Sequence, residues 1–188
     1  MDALILAAGY ATRLYPLTQN FPKPLLTIGK QTIMDHLIDR MAALPDLHTV
    51  YVVTNARFAH IFQEWADAAG KRNQWPGLTL HIIDDGTDSN ENRMGAIADL
   101  AFAINRQNIQ DDLLVSAGDN IYLFDFNDMA ALFRARQNDV ILTYHTEALE
   151  NLRPSGVVEL DQEQLIIGFE AKPPQPKSRS GCPALHLM

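Results

Sequence analysis

Residues 3–24 read ALILAAGYATRLYPLTQNFPKP. Positions 3–8 are apolar and stop at Gly9. A run that short, closed by glycine, has the pattern of a strand buried on both faces. A long loop follows, holding Pro16, Pro22 and Pro24, three of the chain's ten prolines. Proline fixes φ and disfavours helix just before it, so this loop is expected to be extended and stiff. A loop of that length inside a compact fold usually serves function.

Working outward, Met34, Leu37, Ile38, Met41 and Leu44 recur at helical spacing and predict a helix over 32–44. HTVYVVTN at 48–55 is a β-branched strand. Phe58, Ile61, Phe62, Trp65 and Ala69 give a second helical face, with Gly70 as its expected C-cap. LTLHII at 78–83 is a third strand, and Ile97, Leu100, Ala101 and Ile104 mark a third helix. DLLVSAG at 112–118 is a fourth strand. Asn127 is the expected N-cap of a helix carrying Met129, Leu132 and Phe133, and DVILTY at 139–144 is a fifth strand. Strand–helix alternation means βαβ units. The reading is an α/β fold with a mostly parallel sheet and helices on both faces. GVVELD (156–161) and LIIGFE (165–170) have no helix between them and read as an antiparallel C-terminal addition. ALHLM, residues 184–188, looks like a further strand beginning.

Composition narrows the functional classes. The 188 residues suit one domain, 1–188, and 47% apolar with 20% charged residues is an ordinary soluble balance. The net charge of −8 disfavours general nucleic-acid or anionic-membrane binding. Cys182 is the single cysteine, so no internal disulfide forms, in keeping with a reducing cytoplasmic setting. No basic segment precedes the apolar start, and no apolar run approaches the ~20 residues of a membrane span.

In an open parallel sheet, ligands bind beyond the carboxyl ends of the strands, where strand order reverses. In a 3-2-1-4 order, strands one and four meet there. After strand one, Gly9 permits close backbone approach, and Arg13 and Lys23 supply cations. Residues 1–30 hold three basic residues and one acidic, against the acidic whole. Two readings fit: a cradle for a polyphosphate, or a solvated turn whose long side chains cover apolar surface. After strand four comes Asp119, either a hard ligand for Mg2+ or the opening of a turn. In DDGTDSNENRMGAIADL (84–100), Gly95 permits close approach of a base or sugar and Asn90 is placed to read a base edge; an ordinary polar turn is the alternative. Lys172 follows a late strand, as a phosphate ligand or as a surface lysine.

Taken together, LILAAGYATRLYPLTQNFPKPLLTIGKQTIMDH, NRMGA, LLVSAGDN, GVVELD and GFEAKP resemble the nucleotidyltransferases acting on sugar 1-phosphates. These stretches occur in that family's order. The resemblance implies a Rossmann-like fold, with transfer of a nucleoside monophosphate from an NTP to a phosphorylated acceptor and release of pyrophosphate. It implies that Leu6, Ala8, Gly9, Ala11, Thr12 and Gly95 line the nucleotide pocket. It puts Arg13 on the triphosphate, Lys23 at the reacting phosphates and Asp119 on Mg2+. Gly156 and Lys172 would hold the acceptor. The partners implied are small molecules, with self-association left open. Three departures stand out. Ala11 replaces a frequent glycine, and Ala171 replaces a frequent second glutamate, which leaves the acceptor open between a sugar 1-phosphate and a phosphocholine-type compound. A further metal-binding aspartate usually lies beyond position 188, so the chain is expected to be short at its C-terminus.

Rival chemistries lack their signatures. GxxxxGK[ST], GxGxxG after strand one, GxSxG and HExxH are all absent. The remaining alternative from another class is a subunit that binds nucleotide or sugar phosphate without catalysis.

Overall fold

The computed structural model describes residues 1–188. Strand β1 (Asp2–Leu6) is followed by a short hairpin, β2 (Thr27–Ile28) and β3 (Gln31–Thr32), then α1 (Ile33–Met41). Next come β4 (Thr49–Thr54), α2 (Ala59–Lys71), β5 (Thr79–Asp84), α3 (Ala96–Gln107), β6 (Leu113–Ala117) and α4 (Phe126–Arg136). The rest is β7 (Val140–Ile141), β8 (Tyr144–His145), β9 (Gly156–Leu160), β10 (Ile166–Ala171), β11 (Ser180–Cys182) and β12 (Leu185–Leu187).

The main sheet runs β5-β4-β1-β6-β12-β7. Its first four strands are parallel and in the 3-2-1-4 order expected for them. Leu6 sits level with Val53 and Ala117, so β1, β4 and β6 end together. Strand alternation divides the core. Ala3, Ile5, Val50, Val52 and Leu114 pack with Met34, Leu37 and Ile38 of α1, Phe62 of α2 and Met129 of α4. Leu4, Val53, Leu113 and Val115 pack with Ala103 of α3 on the opposite face. Helices therefore cover both faces. Each fully buried Leu or Ile here contributes about 1.5–3 kcal/mol relative to exposure.

Local chemistry moved several boundaries. Helix α1 begins after Thr32, whose hydroxyl accepts from the Asp35 amide while the Asp35 carboxylate accepts from the Thr32 amide. This capping box sets the start, and the helix ends at Met41, before Leu44. Gly70 is not the C-cap of α2. The helix runs through it to Lys71, and Asn73 takes the left-handed position instead. Asn127 is not an N-cap either. Asp125 holds that place, its carboxylate accepting from the Asn127 amide at 2.9 Å. The fifth predicted strand, 139–144, is divided: β7 joins the main sheet, while β8 enters a second, antiparallel sheet of order β10-β9-β11-β8. The LHL segment of 184–188 becomes β12, inserted antiparallel between β6 and β7. The antiparallel character of the tail thus reaches into the main sheet as well.

The loop after β1 is compact rather than extended. It folds into 3-10 turns at Thr12–Leu14 and Lys23–Leu25, and the Thr18 hydroxyl donates to the Ala11 carbonyl at 2.8 Å. Two helical faces also turned out differently. Ile97 is 80% exposed and Leu132 45%, although both were expected to pack. No helix is long and apolar enough to cross a membrane.

Candidate active site

The carboxyl ends of β1 and β6 are joined directly. The Gly118 amide donates to the Leu6 carbonyl at 2.9 Å. A Cβ at Gly118 would lie 3.1 Å from Ile5 and 3.3 Å from Ala7. The junction thus needs glycine, and it carries the next residue, Asp119, out beside the loop that leaves β1. There the Lys23 ammonium donates to Asp119 Oδ2 at 2.7 Å. Lysine and aspartate are about a third and a half exposed, so the pair lies at an open surface and not in the core.

The loop itself is anchored from β4. Asn55 is fully buried; its amide donates to the Ala8 carbonyl at 2.9 Å and its oxygen accepts from the Phe58 amide at 3.1 Å. Leu6 is half-buried and Ala8 buried, and Gly9 is exposed with open space where a Cβ would stand. Ala11 has φ 46°, ψ 41°, a left-handed conformation. A Cβ in that conformation costs roughly 1–2 kcal/mol. Thr12 and Arg13 follow in the 3-10 turn, both exposed.

Gly95 N-caps α3 with φ 90°, ψ 159°, a region essentially confined to glycine. Its position at the start of a helix leaves the first-turn amides without intrahelical partners. Asn90 is half-buried, with its side-chain oxygen accepting from the Arg93 guanidinium at 2.9 Å. Its oxygen is therefore engaged within the loop.

Gly156 and Lys172 lie side by side on the second sheet. Gly156 pairs with Ala171, and the Lys172 amide donates to the Ser155 carbonyl at 2.9 Å. A Cβ at Gly156 would meet the Phe169 ring at 3.0 Å, which is a packing reason for glycine independent of any ligand. Lys172 is exposed, with φ 50°. These residues connect to the main crevice through the chain: Gly156 pairs with Cys182, and the Ala184 carbonyl accepts from the Ala117 amide at 3.0 Å. Glu170 is held by Lys177, at 3.4 Å.

A second acidic group stands elsewhere. Asp2, His48 and Asp111 bring their ligand atoms within 4.8 Å of one another. They precede or open β4, β1 and β6, at the amino ends of parallel strands, the opposite edge of the sheet from Asp119. Asp2 and Asp111 already flank the His48 ring at 3.0 and 3.2 Å. This group is not the expected metal position.

Sequence reasoning missed Asn55 and Gly118 as site residues. An asparagine closing a buried strand at the carboxyl edge was the available signal for the first. Steric need at the junction, the reason for the second, is visible only in three dimensions.

The comparisons bear on family and fold. Residues 2–182 match the family model described as nucleotidyl transferase. The chain is 30% identical over 190 residues to a glucose-1-phosphate adenylyltransferase of Shewanella frigidimarina, covering 98% of this chain and 45% of that protein. It is 29% identical over 178 residues to the bifunctional protein GlmU of Methanococcus aeolicus, covering 95% and 38%. The chain thus spans less than half the length of these relatives. Its fold matches the structure of a UDP-glucose pyrophosphorylase complexed with UDP-glucose, with a TM-score of 0.80 at 17% identity, over 100% of this chain and 75% of that one. With a family model matched over nearly its whole length, and the strand order and crevice that go with it, the chain belongs to the nucleotidyl transferase family.

Proposed function

We propose that this protein transfers a nucleoside monophosphate from an NTP to a sugar 1-phosphate, releasing pyrophosphate and forming a nucleotide sugar. The contact that carries the reading is Lys23 on Asp119, which joins the loop after β1 to the end of β6. The names of the relatives support the acceptor class. Both substrates are small metabolites, and we place the reaction in the cytoplasm.

In the proposed step, an acceptor phosphate oxygen forms a bond to the α-phosphorus while the bond from that phosphorus to the bridging oxygen of pyrophosphate breaks. A phosphate monoester has a second pKa near ~6 and is already anionic at neutral pH, so the chain need not supply a base. Its work is positioning and charge neutralisation. Arg13 holds the triphosphate and the departing pyrophosphate. Lys23 exchanges Asp119 for the α-phosphoryl oxygens. Lys172 orients the acceptor. Gly9 and Gly95 admit the nucleotide between two backbone walls.

The donor chemistry at Asp119 suits a divalent ion. It is one hard, half-exposed carboxylate that already bonds a cation. We infer Mg2+ as that ion, held by Asp119 together with phosphate oxygens. When bound, it would neutralise phosphate charge as a Lewis acid.

The test is pyrophosphate release with Mg2+, each of the four NTPs and a panel of sugar 1-phosphates. One pair should turn over well above the rest. Tight NTP binding with no turnover on any acceptor would make the protein a binding subunit instead.

A further inference from the structure

Behind the nucleotide wall lies a buried polar cluster that the proposed reaction does not use. Asp85 follows β5, and its Oδ1 accepts from both the amide and the hydroxyl of Thr87 at 2.7 Å. Its other oxygen, Oδ2, is buried without a partner. Asp99 lies in the first turn of α3 and is 5% exposed, while its neighbour Ile97 is 80% exposed. The usual placement is inverted here: the carboxyl faces in and the sec-butyl chain faces out. Asp99 Oδ1 is also buried and unpartnered. The Asp85 and Asp99 side chains lie within hydrogen-bonding reach of each other.

Two carboxylates cannot bond each other, but a carboxyl and a carboxylate can. We propose that Asp85 and Asp99 share one proton, and that this bond fixes the start of α3, with Gly95, against the loop leaving β5. Both are positioning residues for the nucleotide wall, an inference that rests on the nucleotide reading above. One shared proton gives each carboxyl the other as its partner. The tie has clear mechanical consequences. The Asp99 amide donates to the Gly95 carbonyl at 2.9 Å, and the Asp85 amide donates to the Thr54 carbonyl at 2.9 Å. The shared proton therefore bridges the α3 N-terminus to β4, beside the Asn55 anchor of the Gly9 loop.

Burial, with Asp85 beside it, pushes Asp99 up to about 6. The ionisable groups on neighbouring elements are Tyr10, Tyr51 and Arg57, Asp84 and Asp88 flanking Asp85, and Arg106 on α3 itself. The Asp85 charge beside Asp99 adds to the effect of burial. Arg57 and Asp88 act instead on the Tyr10 hydroxyl, which burial raises, and burial raises Tyr51 as well. The sign follows. An acid raised in the folded state favours folding below its unfolded pKa, and that advantage is lost as pH rises through the folded value. The window runs from about 4 to somewhat above 6.

The experiment compares the wild-type protein with Asp99→Asn, which retains a donor at this position and never ionises. Thermal unfolding is followed from pH 4 to 8. The variant should melt near the wild type at pH 4 and several degrees above it at pH 7.5. Carbon-13 NMR of the side-chain carboxyls should show one aspartate titrating near pH 6 in the wild type and none in the variant. A melting difference that stays flat with pH, or no aspartate titrating above pH 5, would overturn the shared proton, and the NMR arm needs no variant to decide it. The dissociation constant of Mg·NTP should weaken several-fold more between pH 5.5 and 7.5 in the wild type than in Asp99→Asn. Identical pH profiles would overturn the positioning role. If neither protein binds Mg·NTP while the titration and melting results hold, the proton pair stands and the nucleotide reading falls.

Discussion

Lys23 and Asp119, separated by 96 positions in the chain, meet at 2.7 Å across the carboxyl edge of the sheet. Two strands that end level make the meeting possible, and a glycine between them makes it close. In the absence of nucleotide, each charge serves as the other's counterion. On the proposed function, substrate and metal would together replace both halves of that arrangement: phosphate for the carboxylate at Lys23, a divalent ion for the ammonium at Asp119.

Lys23→Ala and Asp119→Ala should each lower kcat by on the order of 10²–10³, by analogy with loss of one charge-stabilising donor. Stability should hardly change, because an exposed pair contributes about 0–1 kcal/mol. Steady-state turnover and a urea midpoint measured on the same preparations check both halves. Turnover near that of the wild type in either variant would remove that residue from the mechanism.

Ala11→Gly should stabilise the fold by about 0.5–1 kcal/mol. Glycine adopts the left-handed conformation without the Cβ penalty, less its own greater entropy in the unfolded chain. The urea midpoint should rise while the slope stays constant. A lower midpoint would mean that the Ala11 methyl makes contacts worth more than the strain.

Gly95→Ala should do the reverse. At φ 90°, ψ 159°, an alanine costs on the order of 1–3 kcal/mol although the space is open. The first turn of α3 should shift to relieve it. Mg·NTP affinity should therefore drop by more than the loss of stability alone explains, as read by calorimetry at a temperature well below unfolding.

Asn55→Ala leaves the Ala8 carbonyl without its side-chain donor in a buried setting. Destabilisation of about 1–3 kcal/mol is expected. Because Ala8 adjoins Gly9, kcat should decrease along with stability. Hydrogen exchange should show faster opening at residues 9–14 than in the wild type, and unchanged protection there would contradict the anchor role.

Much of this was legible in the chain because period and burial coincide. β1, β4 and β6 are short apolar runs, and Met34, Leu37, Ile38 and Met41 form a stripe that is fully buried. Wherever a polar side chain decided a boundary, the pattern gave less guidance. Asp35 and Asp125 set helix starts through carboxylates that accept from backbone amides, and neither is marked by hydrophobic spacing. The divided strand at 139–144 is decided by β12, more than forty residues later, which claims Ile141 as a partner while Tyr144 pairs with Gly181. The Lys23–Asp119 contact joins two residues that position along the chain had singled out. Asn55 and the Asp85–Asp99 pair were not, because an asparagine or aspartate looks the same in a solvated turn as in a buried contact. Ile97 misled for a related reason. Its apolar side chain suggested the core, yet it is exposed, and the inward position goes to Asp99.

The central claim is that the loop after β1 and the end of β6 converge on a metal–triphosphate complex. Titrating Mn2+·NTP into nitrogen-15-labelled protein tests it directly, because the paramagnetic ion broadens nearby amide signals. The account predicts that Gly9, Ala11, Gly118 and Asn120 broaden first, while Thr49 and Leu113, at the far edge of the sheet, stay sharp. Broadening centred instead on Asp2, His48 and Asp111 would put the metal at the wrong end of the strands and contradict the account.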